Sequence, residues 1–140
     1  MEIAGKKAVV LGGTSGIGLA TSIMLVEMGA SVVAVSRDPS KAGDVPDGIQ
    51  LAALDTRNEA DVKAFFEATG KIDILVHAAG ICKQGSIAGH DDAAWNKIID
   101  VNLTGSYRMV KRCLPGMIDQ DWGRIVLIAS TAANVGAPNY

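Results

Sequence analysis

The fold of this chain is decided by residues 7–18, KAVVLGGTSGIG. An apolar run suited to a buried strand, residues 7–11, leads there into a turn with the spacing Gly-x-x-x-Gly-x-Gly, from Gly12 to Gly18. Glycines let the backbone turn sharply and approach a pyrophosphate, whose charge meets the free N–H groups at the start of a helix. A plain strand–helix turn rich in small residues would have a similar composition. The position directly after a first strand favours nucleotide binding.

Further along the chain, apolar runs alternate with helical patterns. Continuous apolar or β-branched runs predict five strands, at residues 7–11, 31–36, 49–54, 72–77 and 123–129. Strand–helix alternation with strands that are apolar on both faces predicts a parallel sheet with right-handed crossovers. No linker, repeat or low-complexity segment interrupts the pattern. We therefore expect one α/β domain over residues 1–140.

Three helical stripes define the faces that should pack on this sheet. The first consists of Ile17, Ala20, Met24, Leu25 and Met28. The second consists of Ala60, Ala64, Phe65 and Ala68. The third is long and consists of Trp95, Ile98, Ile99, Asn102, Leu103, Ser106, Met109, Val110 and Cys113. Pro115 is expected to kink or end the third helix, because proline lacks the helical N–H donor.

Composition excludes several classes of protein. Of 140 residues, 49% are hydrophobic and 20% are charged, and the formal net charge is -2, so no basic face for nucleic acid is expected. The chain has neither a membrane-length apolar run nor a signal-peptide pattern, which makes the cytoplasm the expected location. Cys82 and Cys113 are too few and too far apart for a disulfide framework, and we expect no metal site.

The end of the second strand bears on the choice of dinucleotide. An acidic side chain here accepts hydrogen bonds from the ribose hydroxyls of NAD, whereas a basic one pairs with the 2′-phosphate of NADP. The order in this chain is Ser36-Arg37-Asp38. Arg37 therefore favours NADP, with NAD as the alternative if Asp38 turns back toward the ribose.

Four further strand or helix positions carry polar groups. Asp55 and Thr56 follow the third strand; Asp55 would contact adenine or, alternatively, cap the helix near Glu59. Asn102 falls on the apolar face of the long helix, where a buried amide needs hydrogen-bond partners, either as a tether or in a catalytic relay. Ser130 ends the fifth strand, where ligands sit in open α/β sheets, or else simply caps that strand.

These motifs resemble the short-chain dehydrogenase/reductase family. The opening turn is similar to the family's Thr-Gly-x-x-x-Gly-Ile-Gly, with Leu11 in place of Thr. His77-Ala78-Ala79-Gly80 stands where the family has Asn-Asn-Ala-Gly, and we interpret His77 as a hydrogen-bonded structural histidine. The segment at residues 101–105, VNLTG, matches the one whose Asn holds a relay water.

The resemblance implies a Rossmann-type doubly wound parallel sheet with strand order 3-2-1-4-5, truncated after strand five. It also implies a catalytic Ser130, which polarises the substrate carbonyl, and a relay role for Asn102. In the family, the Ser36-Arg37 pair is typical of an NADP preference. The expected dinucleotide-binding residues are Gly12, Thr14, Ser15, Gly16, Ile17, Gly18, Ser36, Arg37, Asp55, Thr56, Ala78, Ala79, Gly80 and Asn102.

The family's catalytic Tyr-x-x-x-Lys lies about thirteen residues past its Ser. Here the chain stops at Tyr140, ten residues past Ser130, and we expect the catalytic Tyr and Lys to be absent from it. The chain thus resembles the first part of a family member, with the substrate lid and two more strands expected beyond it. Taken alone, these 140 residues are expected to be inactive.

The resemblance implies a dehydrogenase or reductase that acts with NADP(H) on a small carbonyl or secondary alcohol. The intact protein is expected to be a homodimer or homotetramer. One alternative is a dinucleotide-binding module without catalysis, which the missing Tyr and Lys would favour. Another is a different Rossmann-type enzyme such as a methyltransferase, which the glycine turn with Asn102 and Ser130 argues against.

Overall fold

The computed structural model describes residues 2–136. Five strands are β1 (Lys7–Leu11), β2 (Ser31–Ser36), β3 (Ile49–Ala53), β4 (Ile74–His77) and β5 (Arg124–Leu127). The helices are α1 (Gly16–Glu27), α2 (Glu59–Thr69), α3 (Asp92–Ile99), α4 (Gly105–Asp119) and the short α5 (Ala132–Val135). A π-helical turn, Asp100–Thr104, joins α3 to α4, and single 3₁₀ turns occupy Pro39–Lys41 and Ile87–Gly89.

The five strands form one parallel sheet in the order β3-β2-β1-β4-β5. The predicted fold class and strand order are therefore confirmed. Strands β3, β4 and β5 are each shorter than their apolar runs, because those runs continue into the loops at the strand ends. Between β2 and β3 the chain forms the single 3₁₀ turn Pro39–Lys41.

Two apolar layers hold the helices on the two faces of the sheet. One layer packs α2 and α4, with the fully buried Met109 of α4, against alternate residues of the central strands such as Val9 and Leu75. The other packs α1 against the opposite faces, including Val10 and Val32. Central strands buried on both faces explain why their sequences are continuously apolar. No helix among the described residues has the length and apolar character that a membrane crossing requires.

The predicted inward stripe of α1 is wrong at four of its five positions, and only Leu25 is buried as predicted. Its buried residues are Gly18, Ser22 and Leu25, whereas Ile17 is 64% and Met24 is 60% exposed. The helix approaches the sheet through small residues, and the Ser22 hydroxyl donates to the Gly18 carbonyl at 3.0 Å. A prediction that counts only large apolar side chains misses a face made of glycine and serine. The remaining predicted members of the stripe, Ala20 and Met28, are also exposed.

The predicted faces of the later helices also need correction. In α2 the buried residues are Val62 and Phe65, and the alanines at 60, 64 and 68 are exposed. In the long helix the π turn adds a residue to one turn, so the regular 3.6-residue spacing does not continue through it. Leu103 consequently points outward and is 64% exposed. Trp95 is also exposed, while Met109 and Cys113 are buried as predicted.

Pro115 does not end α4, which continues to Asp119. Cys113 and Met117 are buried against the sheet on either side of the proline. Their burial holds the helix together across the missing N–H donor, whose loss alone would favour a break. The expectation of a helix end at this residue is therefore wrong.

Candidate functional site

A cleft of about 380 Å³ opens at the carboxyl ends of β1, β2 and β4. This is the edge at which ligands bind in open α/β sheets. Predicted residues in its lining are Gly12, Ser15, Gly16, Ile17, Gly18, Ser36, Arg37, Asp55, Thr56, Ala78, Ala79 and Gly80. The sequence reasoning missed its apolar part, which consists of Leu11, Val35, Leu54, Ile81 and Val101. Apolar strand ends carry no motif, so only the sheet topology reveals them. Thr14, Asn102 and Ser130 are not part of the lining.

The glycine turn brings three segments of backbone together beneath the cleft. Gly12 has φ +72°, and a Cβ on it would lie 2.9 Å from the Ala79 nitrogen. A Cβ on Gly18 would lie 2.1 Å from the Gly12 carbonyl oxygen. Side chains at these two positions would push apart the first turn of α1, β1 and the segment after β4. The small residues predicted from the motif are thus required by close approach of the backbone.

The start of α1 is suited to an anion. Ser15 is the N-cap residue but makes no side-chain cap hydrogen bond, and the first turn holds no acidic residue. The first N–H groups of a helix have no partner within the helix and carry its positive dipole end. Because Ser15, Gly16 and Ile17 line the cleft, these N–H groups lie where a pyrophosphate would bind.

At the end of β2, the three polar residues separate into two groups. The Ser36 hydroxyl is buried at the cleft and has no hydrogen-bond partner among residues 2–136. Arg37 lines the cleft and its side chain is exposed. Asp38 instead caps the following 3₁₀ turn: it accepts from the Ser40 N–H at 3.2 Å and pairs with Lys41 at 3.0 Å. A hydrogen bond from the Ser40 hydroxyl is the main cause of a lowered pKa at Asp38.

Asp55 lies in the cleft wall and is held by Arg57. Its Oδ1 accepts from the Arg57 backbone N–H at 3.0 Å and from Nε at 2.9 Å, and its Oδ2 accepts from Nε and Nη2. The hydrogen bond from the Arg57 side chain lowers the pKa of Asp55 to about 2. Asp55 does not cap α2. Asn58 does, since its Oδ1 accepts from the Ala60 N–H at 3.0 Å.

Thr56 is buried and fixes the position of α4 relative to this wall. A Cβ on Gly105 would lie 2.7 Å from the Thr56 hydroxyl, so the helix can approach this closely only through glycine. Arg108 donates from Nη1 to the Thr56 carbonyl at 3.2 Å and to Asp100 at 2.8 Å. These contacts tie the π turn and α4 to the strand end that carries Asp55.

Asn102 is exposed, so the expectation that it is buried is wrong. It lies in the π turn, where its Oδ1 accepts from the Ile81 N–H at 2.9 Å and its Nδ2 donates to the Ile81 carbonyl at 2.8 Å. This geometry is the tether that the sequence left as an alternative. It connects the π turn to the segment after β4, next to Gly80, which lines the cleft.

His77 is 3% exposed at the end of β4. Burial lowers the pKa of His77, and its Nε2 has no hydrogen-bond partner among the described residues. The interpretation of His77 as a buried structural residue agrees with this placement, but at Nε2 the expected hydrogen bond is missing. His90, by contrast, lies in the loop before α3, where it is half-buried.

Ser130 lies three residues past the end of β5 and is exposed. Its Oγ accepts from the Ala132 N–H at 3.2 Å, so in this structure its side chain caps the turn that follows rather than the strand itself. Tyr140 lies outside the described residues, so the interpretation of its position next to the active site remains a prediction.

The expectation that no Tyr-x-x-x-Lys is present needs a correction. Tyr107 and Lys111 have this spacing on α4. They do not line the cleft at the carboxyl ends of the strands. They line a separate groove of about 220 Å³ between α2 and α4, where the Lys111 ammonium lies 5.6 Å from the centre of the Tyr107 ring. Their position before Ser130 also differs from the family order, so the motif in its family position is not found in the 140 residues.

Comparison with known proteins agrees with this geometry. The chain is 37% identical to a 3-oxoacyl-acyl-carrier-protein reductase of Vibrio harveyi, covering all of this chain and 62% of that protein. It is 30% identical to a 2-keto-3-deoxy-L-fuconate dehydrogenase of Xanthomonas campestris, covering 99% of this chain and 47% of that protein. The chain thus spans about half to six tenths of the length of these relatives.

A solved structure of a short chain dehydrogenase/reductase family protein superimposes with a TM-score of 0.93 at 35% identity. That match covers 99% of this chain and 61% of the other. The short chain dehydrogenase family matches residues 6–140, which include every strand and the whole cleft. This chain therefore belongs to the short chain dehydrogenase family.

Proposed function

We propose that the protein containing this chain is an NAD(P)-dependent oxidoreductase that interconverts a small carbonyl compound and a secondary alcohol. The observation that carries the proposal is the glycine-lined cleft at the carboxyl ends of the strands, with an uncapped helix N-terminus beside it. The two named relatives support it, since one is a reductase and the other a dehydrogenase by name. When bound, the nicotinamide would supply the hydride.

Different residues of the cleft would bind different parts of a dinucleotide. The N–H groups at the start of α1 would bind the pyrophosphate, and Gly12 and Gly18 keep that surface free of side chains. The apolar strand ends would contact the flat ring systems. Asp55 stands at the adenosine end, where it would accept from the adenine amino group.

We propose NADP as the preferred cofactor, with NAD as the alternative. Arg37 lines the cleft, and the buried Ser36 hydroxyl there lacks a partner that a phosphate oxygen would provide. Asp38, the group that would select the ribose hydroxyls of NAD, is engaged by Ser40 and Lys41. These three observations together favour a 2′-phosphate.

For the chemical step, we propose that the Ser130 hydroxyl donates a hydrogen bond to the substrate oxygen and so polarises the carbonyl. Its Oγ accepts from the Ala132 N–H through a lone pair, which leaves the hydroxyl proton available for this donation. Asn102 would keep the segment around Gly80 in place through its two hydrogen bonds with Ile81, while holding a relay water as the family resemblance implies. Cytoplasmic location and a homodimeric or homotetrameric state are proposed for the whole protein.

The proposal is tested by measuring dinucleotide binding to the chain, with the fluorescence of the nicotinamide as the signal. Gly18→Ala introduces a Cβ against the Gly12 carbonyl and should abolish NADPH binding. Gly43→Ala is the matched control, because a Cβ there meets nothing within 4 Å. If Gly18→Ala binds NADPH as well as the unmodified chain, the cleft is not the dinucleotide site.

A further inference from the structure

The carboxylates that stand two residues past the ends of β2 and β3 each have a cation of their own. Asp38 pairs with Lys41, and Asp55 pairs with Arg57. Among residues 2–136, no carboxylate forms an ion pair with Arg37. Arg37 is therefore left available at the cleft although an acidic side chain stands on the same wall.

The two pairs are not equally strong. The Asp38–Lys41 side chains are 46% and 82% exposed, so solvent screens that pair and it contributes little. The Asp55 and Arg57 side chains are only 29% and 35% exposed. The guanidinium of Arg57 contacts both carboxylate oxygens, a forked geometry that is among the strongest hydrogen-bonded ion pairs. Its own backbone N–H adds a third contact to the same carboxylate.

The Asp55–Arg57 pair weakens the attraction between Asp55 and Arg37. An ionised carboxylate has about four acceptor sites, and the Arg57 contacts occupy most of those on Asp55. Arg37 and Asp55 line the same cleft, and the charge of Arg37 is a minor contributor to the lowered pKa of Asp55. Without Arg57, Asp55 would be an uncompensated anion in the cleft wall, and Arg37 is the cation that lines the same cleft.

We infer that Arg57 is a positioning residue for cofactor choice: by holding Asp55, it keeps Arg37 free for the 2′-phosphate of NADP. The inference rests on the proposed function and names a specificity determinant that does not line the cleft itself. Removing Arg57 lets Asp55 attract Arg37 and also leaves the negative charge of Asp55 uncompensated, so that it repels the 2′-phosphate. Both effects act on the ligand that carries the 2′-phosphate and leave the analogue without it nearly unaffected.

The test uses two small probes of the adenosine end, adenosine 2′,5′-bisphosphate and AMP, titrated into the 140-residue chain by NMR. We expect Arg57→Gln to weaken the bisphosphate roughly tenfold, as for loss of one charge-assisted contact, and AMP by less than about threefold. Adding Asp55→Asn to Arg57→Gln should restore the ratio of the two affinities, because the carboxylate that captures Arg37 is gone. Arg57→Lys, which keeps the charge but loses the fork, should give an intermediate ratio.

Lys63→Gln is the matched control, since Lys63 pairs with Glu67 on α2 outside the cleft. Equal weakening of both probes by Arg57→Gln would mean that Arg57 only supports the fold, and would overturn the inference. Failure of the double substitution to restore the ratio would overturn it as well. If the unmodified chain binds neither probe and no NADPH, the proposed function itself is contradicted, and the inference with it.

Discussion

At the scale of single residues, we propose that the choice of cofactor depends most directly on Arg37. Arg37→Asp replaces a cation that lines the cleft by an acid that can accept from ribose hydroxyls. We expect the preference to shift from NADPH toward NADH by about tenfold or more, since one charge-assisted contact is lost and a repulsion is added. Competition binding with both dinucleotides measures the shift. A full-length protein that already prefers NADH tenfold would contradict the assignment.

His77 makes stability depend on pH. Burial lowers its pKa in the folded chain below the ordinary 6.5, so the unfolded chain binds this proton more readily. The contribution of the neutral, buried His77 to the free energy of unfolding is therefore complete above about pH 6.5. It is lost as the pH falls through that value toward the pKa of His77 in the folded chain. Urea unfolding at pH 7 and pH 5 should reveal this loss, and His77→Asn should reduce the difference between the two. An unchanged difference in the variant would show that other groups cause it.

At the scale of elements, α4 is a helix that runs through a proline. Pro115 lacks the N–H that would bond to the carbonyl of Lys111, and it crowds that carbonyl. Pro115→Ala should raise the free energy of unfolding by about 1–3 kcal/mol, because alanine restores the donor and has the best helix propensity. Urea unfolding measures the change.

The control for this prediction is Pro46→Ala, in the loop before β3. Outside a helix, proline restricts the unfolded chain, so its loss should lower stability by about 0.4–1 kcal/mol. The two substitutions thus have opposite expected signs. A loss of stability in Pro115→Ala would mean that the proline ring contributes packing that outweighs the missing hydrogen bond.

The π turn between α3 and α4 is the element that sequence periodicity misses. It brings Asn102 onto the Ile81 backbone and turns Leu103 outward. A helix of regular pitch would have directed both inward, which is what the spacing of apolar residues indicated. The extra residue in the turn is stabilised by contacts distant in sequence, among them the approach of Gly105 to Thr56, and no local pattern encodes these.

At the scale of the whole molecule, the 140 residues are expected to bind NADP(H) weakly and to turn over no substrate. Reduction of a carbonyl needs a proton donor, and a phenol at its ordinary pKa of about 10 donates poorly at neutral pH. The Tyr107–Lys111 pair lies outside the cleft, so it does not supply a tuned donor there. NADPH oxidation with a panel of aldehydes and ketones measures this. Steady turnover that Tyr140→Phe or Tyr107→Phe abolishes would contradict the prediction.

The outer face of α4 suggests how copies of the whole protein assemble. Tyr107, Leu114 and Ile118 are exposed on it, at 60%, 43% and 67%. Exposed apolar side chains grouped on one helix favour association. We expect a homodimer or homotetramer in sedimentation at micromolar concentration, weakened by Ile118→Lys. Ile87→Lys, at an exposed apolar position away from α4 and α5, should leave assembly unchanged, and a clean monomer of the unmodified protein would contradict the expectation.

The sequence by itself determined the α/β class, the five strands and the glycine turn between β1 and α1, because these depend on local composition and short spacing. The apolar strand runs and the glycines from Gly12 to Gly18 can each be recognised within a few neighbouring residues. The strand order and family followed from the resemblance. Polar residues that follow strands, such as Arg37 and Asp55, could also be placed, since the carboxyl ends of parallel strands share one edge.

Only the tertiary structure decided which partners these side chains have. Several candidate partners are equally near in sequence, and the side-chain rotamers decide between them. In the structure Asn58 rather than Asp55 caps α2, Lys41 pairs with Asp38, and Arg57 pairs with Asp55. The inward faces of α1 and the long helix likewise depend on close backbone approach and on a π turn. These are properties of packing between distant segments, and a pattern read along one segment does not contain them.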